Sequence, residues 1–186
     1  MSISLATIAT KVRYLINDLE EQATDVYEYT TDDTFTLFNS NVNSIELVTV
    51  NDSESGVTYT SSADLVRLTI TSSLSVGDSI SITYKYYPNY SLTEIKGRIR
   101  SALIHISNMG YEEFNEESGE LIYPEPTIRE QNLISIVSSL LICPDNETIR
   151  LPDITISRSN NKSTIDKIRE VVAIFKRDST GLFFLG

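Results

Sequence analysis

The hydrophobic period changes twice along this chain, and that limits what it can fold into. Leu5, Ile8, Val12, Leu15, Ile16 and Leu19 recur at a 3.6-residue spacing and predict an amphipathic helix. From about Asp25 to Tyr87 the period becomes two, in segments rich in Thr, Val, Ile and Tyr. TFTLF (34–38), SIELVTV (44–50), VTYT (57–60), LVRLTI (65–70) and SISITYKYY (79–87) are separated by the turn clusters NSNVN, NDSESG and SVGD. Short strands at this spacing predict a small antiparallel sandwich or barrel. After Pro88 the helical period returns.

Three helix starts are written into that second helical stretch. Ser91–Glu94 and Thr127–Glu130 have the spacing of a capping box, in which the hydroxyl accepts from a first-turn amide and the carboxylate reaches back. Behind the first, Ile95, Ile99, Ala102, Leu103 and Ile106 form a stripe, and Gly110 is a suitable stop. Behind the second, Leu133, Ile134, Ile136, Val137, Leu140 and Leu141 cover a wide arc, which predicts a central helix ended by Pro144. Ser163 opens a fourth, with Ile165, Ile168, Val171, Val172 and Phe175 on one face. The expected fold is therefore α+β: a small four-helix bundle, discontinuous over residues 1–24 and 88–180, with an antiparallel β domain inserted at 25–87. An extended C-terminal tail, 181–186, follows.

Charge and cysteine usage narrow the function classes. A net charge of −11 disfavours autonomous binding to nucleic acid or anionic membrane, since phosphate binding is driven by Lys and Arg. The β segment is especially acidic, with Arg67 and Lys85 its only basic residues. No run approaches the roughly 18 apolar residues that span a bilayer, and MSISLATIATKVRYL lacks the basic-then-apolar order of a signal peptide. The one cysteine, Cys143, lies in the apolar run SLLICP and reads as a buried, inert thiol. These features predict a protein folded in a cytosol.

Little in the sequence points to catalysis. His105 is the only histidine and falls on the flank of its helix, and no nucleophile elbow accompanies it. Glu112, Glu113, Glu116, Glu117 and Glu120 lack the alternating Asp/Asn pattern of a calcium loop and read as a solvated linker or a surface facing a basic neighbour. The 7 glycines form no phosphate-binding loop. Arg150, Arg158, Lys162, Lys167, Arg169, Lys176 and Arg177 are interleaved with acidic residues and read as a charged face for an acidic neighbour. No catalytic residue, metal ligand or cofactor is expected. Tyr84 and Tyr86 share one sheet face and read as core or interface packing before a sugar platform.

Signs of assembly are more specific. Ile104 points away from the stripe of its helix and Ile174 lies well off its own. The closing Gly181, Leu182, Phe183, Phe184, Leu185 and Gly186 form an apolar terminus that needs something to dock on. Gly181 to Leu185, Ile104 and Ile174 are thus the candidate partner-binding residues.

The leading amphipathic helix, the capping-box helices and the closing segment LPDITISRSNNKSTIDKIREVVAIFKR resemble the head-to-tail adaptor (connector) proteins of long-tailed phages. The β segment directly before SLTEI is similar to an insertion that some members carry. The resemblance is one of layout across nearly the whole chain. It implies a structural, non-enzymatic virion protein of the phage neck, assembled in the bacterial host cytoplasm. In that family twelve subunits form a ring beneath the portal protein, extend the DNA channel and present a surface to the next neck or tail protein. Double-stranded DNA would pass a carboxylate-lined lumen without specific binding, and the tail from Gly181 would reach the portal. The competing readings are another neck or tail component, such as a stopper or tail-completion protein, and a host-surface or carbohydrate-binding module.

Overall fold

The computed structural model describes residues 3–145, 148–151, 154–157 and 162–179. They form α1 (Leu5–Leu15), β1 (Glu21–Glu28), β2 (Thr34–Thr36), β3 (Val42–Val50), β4 (Tyr59–Ser61), β5 (Arg67–Ile70) and β6 (Ser79–Tyr86). There follow α2 (Leu92–Asn108), β7 (Asn115–Glu117), β8 (Leu121–Tyr123), α3 (Ile128–Ile142), β9 (Thr148–Leu151), β10 (Ile154–Ser157) and α4 (Thr164–Ser179). The chain divides into two compact units, residues 18–91 and the discontinuous 1–17 with 92–186.

In the discontinuous unit α3 is the axis. Gln131 through Leu140 are buried without interruption, so the helix has no solvent face over nearly three turns. The capping box that begins it is complete: Thr127 N–H donates to Glu130 Oε2 at 2.7 Å, and Glu130 N–H donates to Thr127 Oγ1 at 3.3 Å. Around α3 pack α1, α2 and α4, each by one apolar stripe. Lys167 Nζ donates to the Pro144 carbonyl just beyond the C-terminus of α3, at 2.6 Å. At the other end Arg129 Nη2 donates to the Phe175 carbonyl of α4 at 3.2 Å. These two bonds show that α3 and α4 run antiparallel.

The expectation of a four-helix bundle is corrected by this arrangement. A four-helix bundle turns one face of each helix to a shared axis, whereas here one helix occupies the core and three lie around it. The unit is also not purely helical. The hairpin β7–β8 and the hairpin β9–β10 belong to it, so the fold is a mixed α+β with ten strands and four helices among the described residues. The segment around Glu112–Glu120, read as a polar linker, is where β7–β8 forms. Phe114 and Ile122 bury themselves beneath it. Residues 3–5 then join the hairpin edge, with Ile122 N–H on the Ile3 carbonyl and Leu5 N–H on the Glu120 carbonyl, both at 2.9 Å. The first helix is shorter than its stripe: Asn17 takes φ of 55°, a left-handed conformation that short polar side chains tolerate, and Leu19 is left exposed. The expected C-terminal tail, 181–186, lies outside the described residues.

The unit 18–91 is two antiparallel sheets, in the orders β1–β6–β3 and β2–β5–β4, sharing one core. Phe35, Leu37, Val48, Leu68, Ile70, Ile80, Ile82 and Tyr84 fill it. Asp18 closes the unit by accepting from the backbone and side-chain nitrogens of Asn89, at 3.1 and 3.3 Å, so its two ends are tied together. Strand β1 was partly hidden from sequence reading because EQATDVYE alternates around polar inward residues. One of these, Asp25, is a buried hub. Its Oδ2 accepts from the Tyr84 hydroxyl at 3.0 Å and the Phe38 backbone N–H at 2.8 Å, with the Tyr27 hydroxyl at 3.2 Å. The Tyr84 oxygen in turn accepts from the backbone and side-chain nitrogens of Asn39.

Asp25→Ala should leave the Tyr84 hydroxyl and the Phe38 amide without their acceptor. The expected destabilisation is on the order of 3 kcal/mol, read by chemical denaturation followed through near-ultraviolet tyrosine dichroism. A loss below the error of the extrapolation would show that the hub does not hold the loop.

Candidate functional site

Helix α2 carries the first expected partner-binding residue. Ile95, Ile99, Ala102, Leu103 and Ile106 are buried, and Ile104, on the opposite side, is 61% exposed. The helix ends where Gly110 adopts φ of 69°, its N–H donating to the Ser107 carbonyl at 2.8 Å. One turn before Ile104, Arg100 grips Glu116 of β7 with two bonds, Nε to Oε2 at 2.6 Å and Nη2 to Oε1 at 2.8 Å. Lys96, a further turn back, pairs with Glu120. The outer surface of α2 is therefore a fixed platform: a hairpin clamped by charge on one side, and an exposed isoleucine next to it.

Helix α4 carries the second. Its start is capped by Ser163, whose oxygen accepts from Asp166 N–H at 3.2 Å. Ile168, Val171, Val172 and Phe175 are buried, while Ile174, on the flank, is 40% exposed. Lys176 Nζ donates to the Met109 carbonyl at 2.6 Å, bringing the C-terminal ends of α2 and α4 together. Ile104 and Ile174 each stand in the C-terminal half of their own helix, α2 and α4. Gly181 to Leu185 lie outside the described residues.

Other charged residues turn out to serve the fold. Lys167 and Lys176 satisfy carbonyls at helix C-termini, where the helix dipole favours a cation. Lys162 pairs with Glu170, and Arg169 with Asp166 at 2.9 Å. Lys167 and Lys176 thus serve the fold, whereas Lys162 and Arg169 stay exposed in surface ion pairs. The side chains of Arg150, Arg158 and Arg177 lie outside those described. Glu116 and Glu120 hold the hairpin, leaving Glu112, Glu113 and Glu117 exposed. His105 is half-buried in the last turn of α2. Cys143 is half-buried at the end of α3 rather than in the core, because the helix stops beneath it.

Tyr27, Tyr29, Tyr84 and Tyr86 of the β unit pack in or against its core. Tyr84 is fully buried with its ring 6.0 Å from that of Tyr86, and the Tyr86 hydroxyl donates to Glu21 at 2.9 Å. Burial raises the Tyr84 pKa above the ordinary phenol value of 10.0. Tyr84 is therefore no sugar platform. Sequence reading missed the exposed apolar residues Phe38 (76%), Val76 (78%) and Ile128 (71%). Phe38 had a signal: alternation that turns Phe35 and Leu37 inward turns Phe38 out.

Among the described residues, no group of three or more His, Cys, Asp or Glu side chains is placed to hold a metal ion, and no helix is long and apolar enough to cross a membrane. No protein-family model matches the chain, and no curated protein matches it in sequence.

The Arg100 bond holds the Glu116 carboxyl below the ordinary carboxylate value of 4.5. A carboxylate with a depressed folded pKa contributes its stability above the unfolded value and loses it as pH falls through the folded one. The hairpin should accordingly keep its full protection from amide exchange above pH 4.5 and lose protection progressively as pH falls from there through the lower folded value, while Glu116→Gln should reduce that pH dependence. Equal protection of residues 115–123 on both sides of the transition would contradict the clamp.

Proposed function

We propose that this chain is a structural subunit of the tailed-phage neck, forming a ring that joins the capsid portal to the tail and extends the DNA channel. In this reading it is not an enzyme, takes no cofactor, and works in the virion after assembly in the bacterial host cytoplasm. Its partners are further copies of itself, the portal protein and the next neck or tail protein.

The observation that carries the proposal is Ile104. A large aliphatic side chain on the outer face of α2, 61% exposed beside a charge-clamped hairpin, suits burial against a neighbouring subunit. Ile174 on α4 supplies a second such point. The net charge of −11 supports the channel role, because a carboxylate-rich lining repels the DNA backbone and lets it slide. The tail from Gly181 to Leu185 is the segment proposed to reach the portal.

Native mass spectrometry of the full chain, alone and with its portal, tests this. The expected result is a closed ring, twelve subunits by the family resemblance. Ile104→Asp should break it into folded monomers, since each site loses roughly 1.5–3 kcal/mol of apolar burial and gains a desolvated charge. Deleting residues 181–186 should leave the ring but abolish portal attachment. A wild-type protein that stays monomeric at high concentration, with and without portal, would overturn the proposal.

A further inference from the structure

We propose that the outward face of the β1–β6–β3 sheet docks a protein partner whose contact surface has an aliphatic centre and a cationic rim. Register places six uncharged residues on that face as two adjacent rows: Thr24, Thr83 and Leu47, then Val26, Ser81 and Thr49. Val26 is 61% exposed and Leu47 36%.

Leu47 stands there because of a β-bulge. Ile45 pairs with Tyr84 and Leu47 with Thr83, so Glu46 is an extra residue in β3. Unbroken alternation would have placed Glu46 opposite Thr83 and sent Leu47 to the core. The bulge keeps Ile45 and Val48 on the inner side, moves Glu46 aside toward Lys85 and delivers Leu47 to solvent. Of the five aliphatic residues of β3, four lie in or against the core and Leu47 alone is left on the wet face.

Charge selects the occupant. Residues 18–91 hold twelve of the chain's 26 acidic side chains but only two of its 15 basic ones, so nearly the whole negative charge resides in this unit. Within that acidic unit the six central residues carry no charge. Glu20 and Glu46 flank Lys85 at one end, each at 3.8 Å, and Glu28 lies in register beyond Val26 at the other. An uncharged centre within a charged rim is the anatomy of a protein interface. A second copy of the same face would set acidic rim against acidic rim, which costs several kcal/mol. A partner with Lys and Arg around an apolar centre meets both features.

The test uses the full chain with a photo-crosslinking phenylalanine analogue at position 47, expressed in the cells that naturally make it, with position 59 of β4 as the control. The expected result is one protein captured from position 47 and not from 59. That protein, purified, should bind the full chain with an affinity that falls about tenfold or more between low and high monovalent salt. Val26→Asp with Leu47→Asp should weaken it by about tenfold or more, and Glu20→Lys, Glu28→Lys and Glu46→Lys together should reverse the salt response. Circular dichroism confirms that each variant is folded. Capture of a second copy of the chain, capture of no protein, or binding indifferent to both salt and the aspartate pair would each overturn the proposal.

Discussion

Burial of α3 on every side from Gln131 to Leu140 is the constraint on which the discontinuous unit depends. A helix with no solvent face must satisfy every polar side chain internally, and α3 carries five buried ones. Three serines do so on the helix itself: Ser135 donates to the Gln131 carbonyl, Ser138 to Ile134 and Ser139 to Ile136, all at 2.7–2.8 Å. Gln131 donates to the Pro126 carbonyl and accepts from Lys11 of α1 at 2.9 Å, so even the polar contacts pull neighbouring elements inward. Partial burial of that ammonium lowers its pKa, which desolvation alone explains. Small hydroxyl-bearing residues also let α1, α2 and α4 approach closely. Larger polar groups in their place would hold the surrounding helices apart.

Charge has two distinct jobs in the molecule. In the discontinuous unit acidic and basic side chains nearly balance, and the described cations are largely spent on helix ends and on the β7–β8 hairpin. The β unit works the other way. Its carboxylates outnumber its cations six to one, and they are used on turns and rims: Asp78 accepts from Ser75 N–H and Asn51, and Asp64 from Ser62 and Val66 N–H. These hydrogen bonds hold both carboxyls below their usual range and stabilise the charged form. The excess charge is therefore a durable property of the surface at neutral pH. It favours partners of opposite sign and disfavours polyanions, in keeping with a proposed place beside a DNA channel.

The helix starts were legible in the sequence, because a cap is a local interaction between a hydroxyl and an amide three residues away. Thr127 and Glu130 form the box their spacing announces, and Ser163 caps α4. Strands β2 to β6 were legible for a similar reason, since alternation and turn residues act over a few positions. Helical geometry was enough to place Ile104 off its stripe, and the wide arc was enough to mark α3 as central. Other features depend on contacts far apart in the chain. The polar stretch Asn115–Tyr123 is a hairpin only because Lys96 and Arg100 of α2 and residues 3–5 give it partners.

Sequence by itself determined the two changes of period, and with them the four helices and strands β2 to β6. Tertiary structure alone decided that two hairpins, β7–β8 and β9–β10, join the helices in that unit, since a hairpin of polar residues forms only where distant segments give it partners. It alone decided that Lys167 and Lys176 serve carbonyls on other elements, because a long flexible cation is committed only when a helix end comes within reach. It alone decided that Leu47 faces water: a one-residue bulge reverses the side-chain alternation of a strand, and the bulge is set by how β3 pairs with β6, not by anything in Ile45-Glu46-Leu47-Val48.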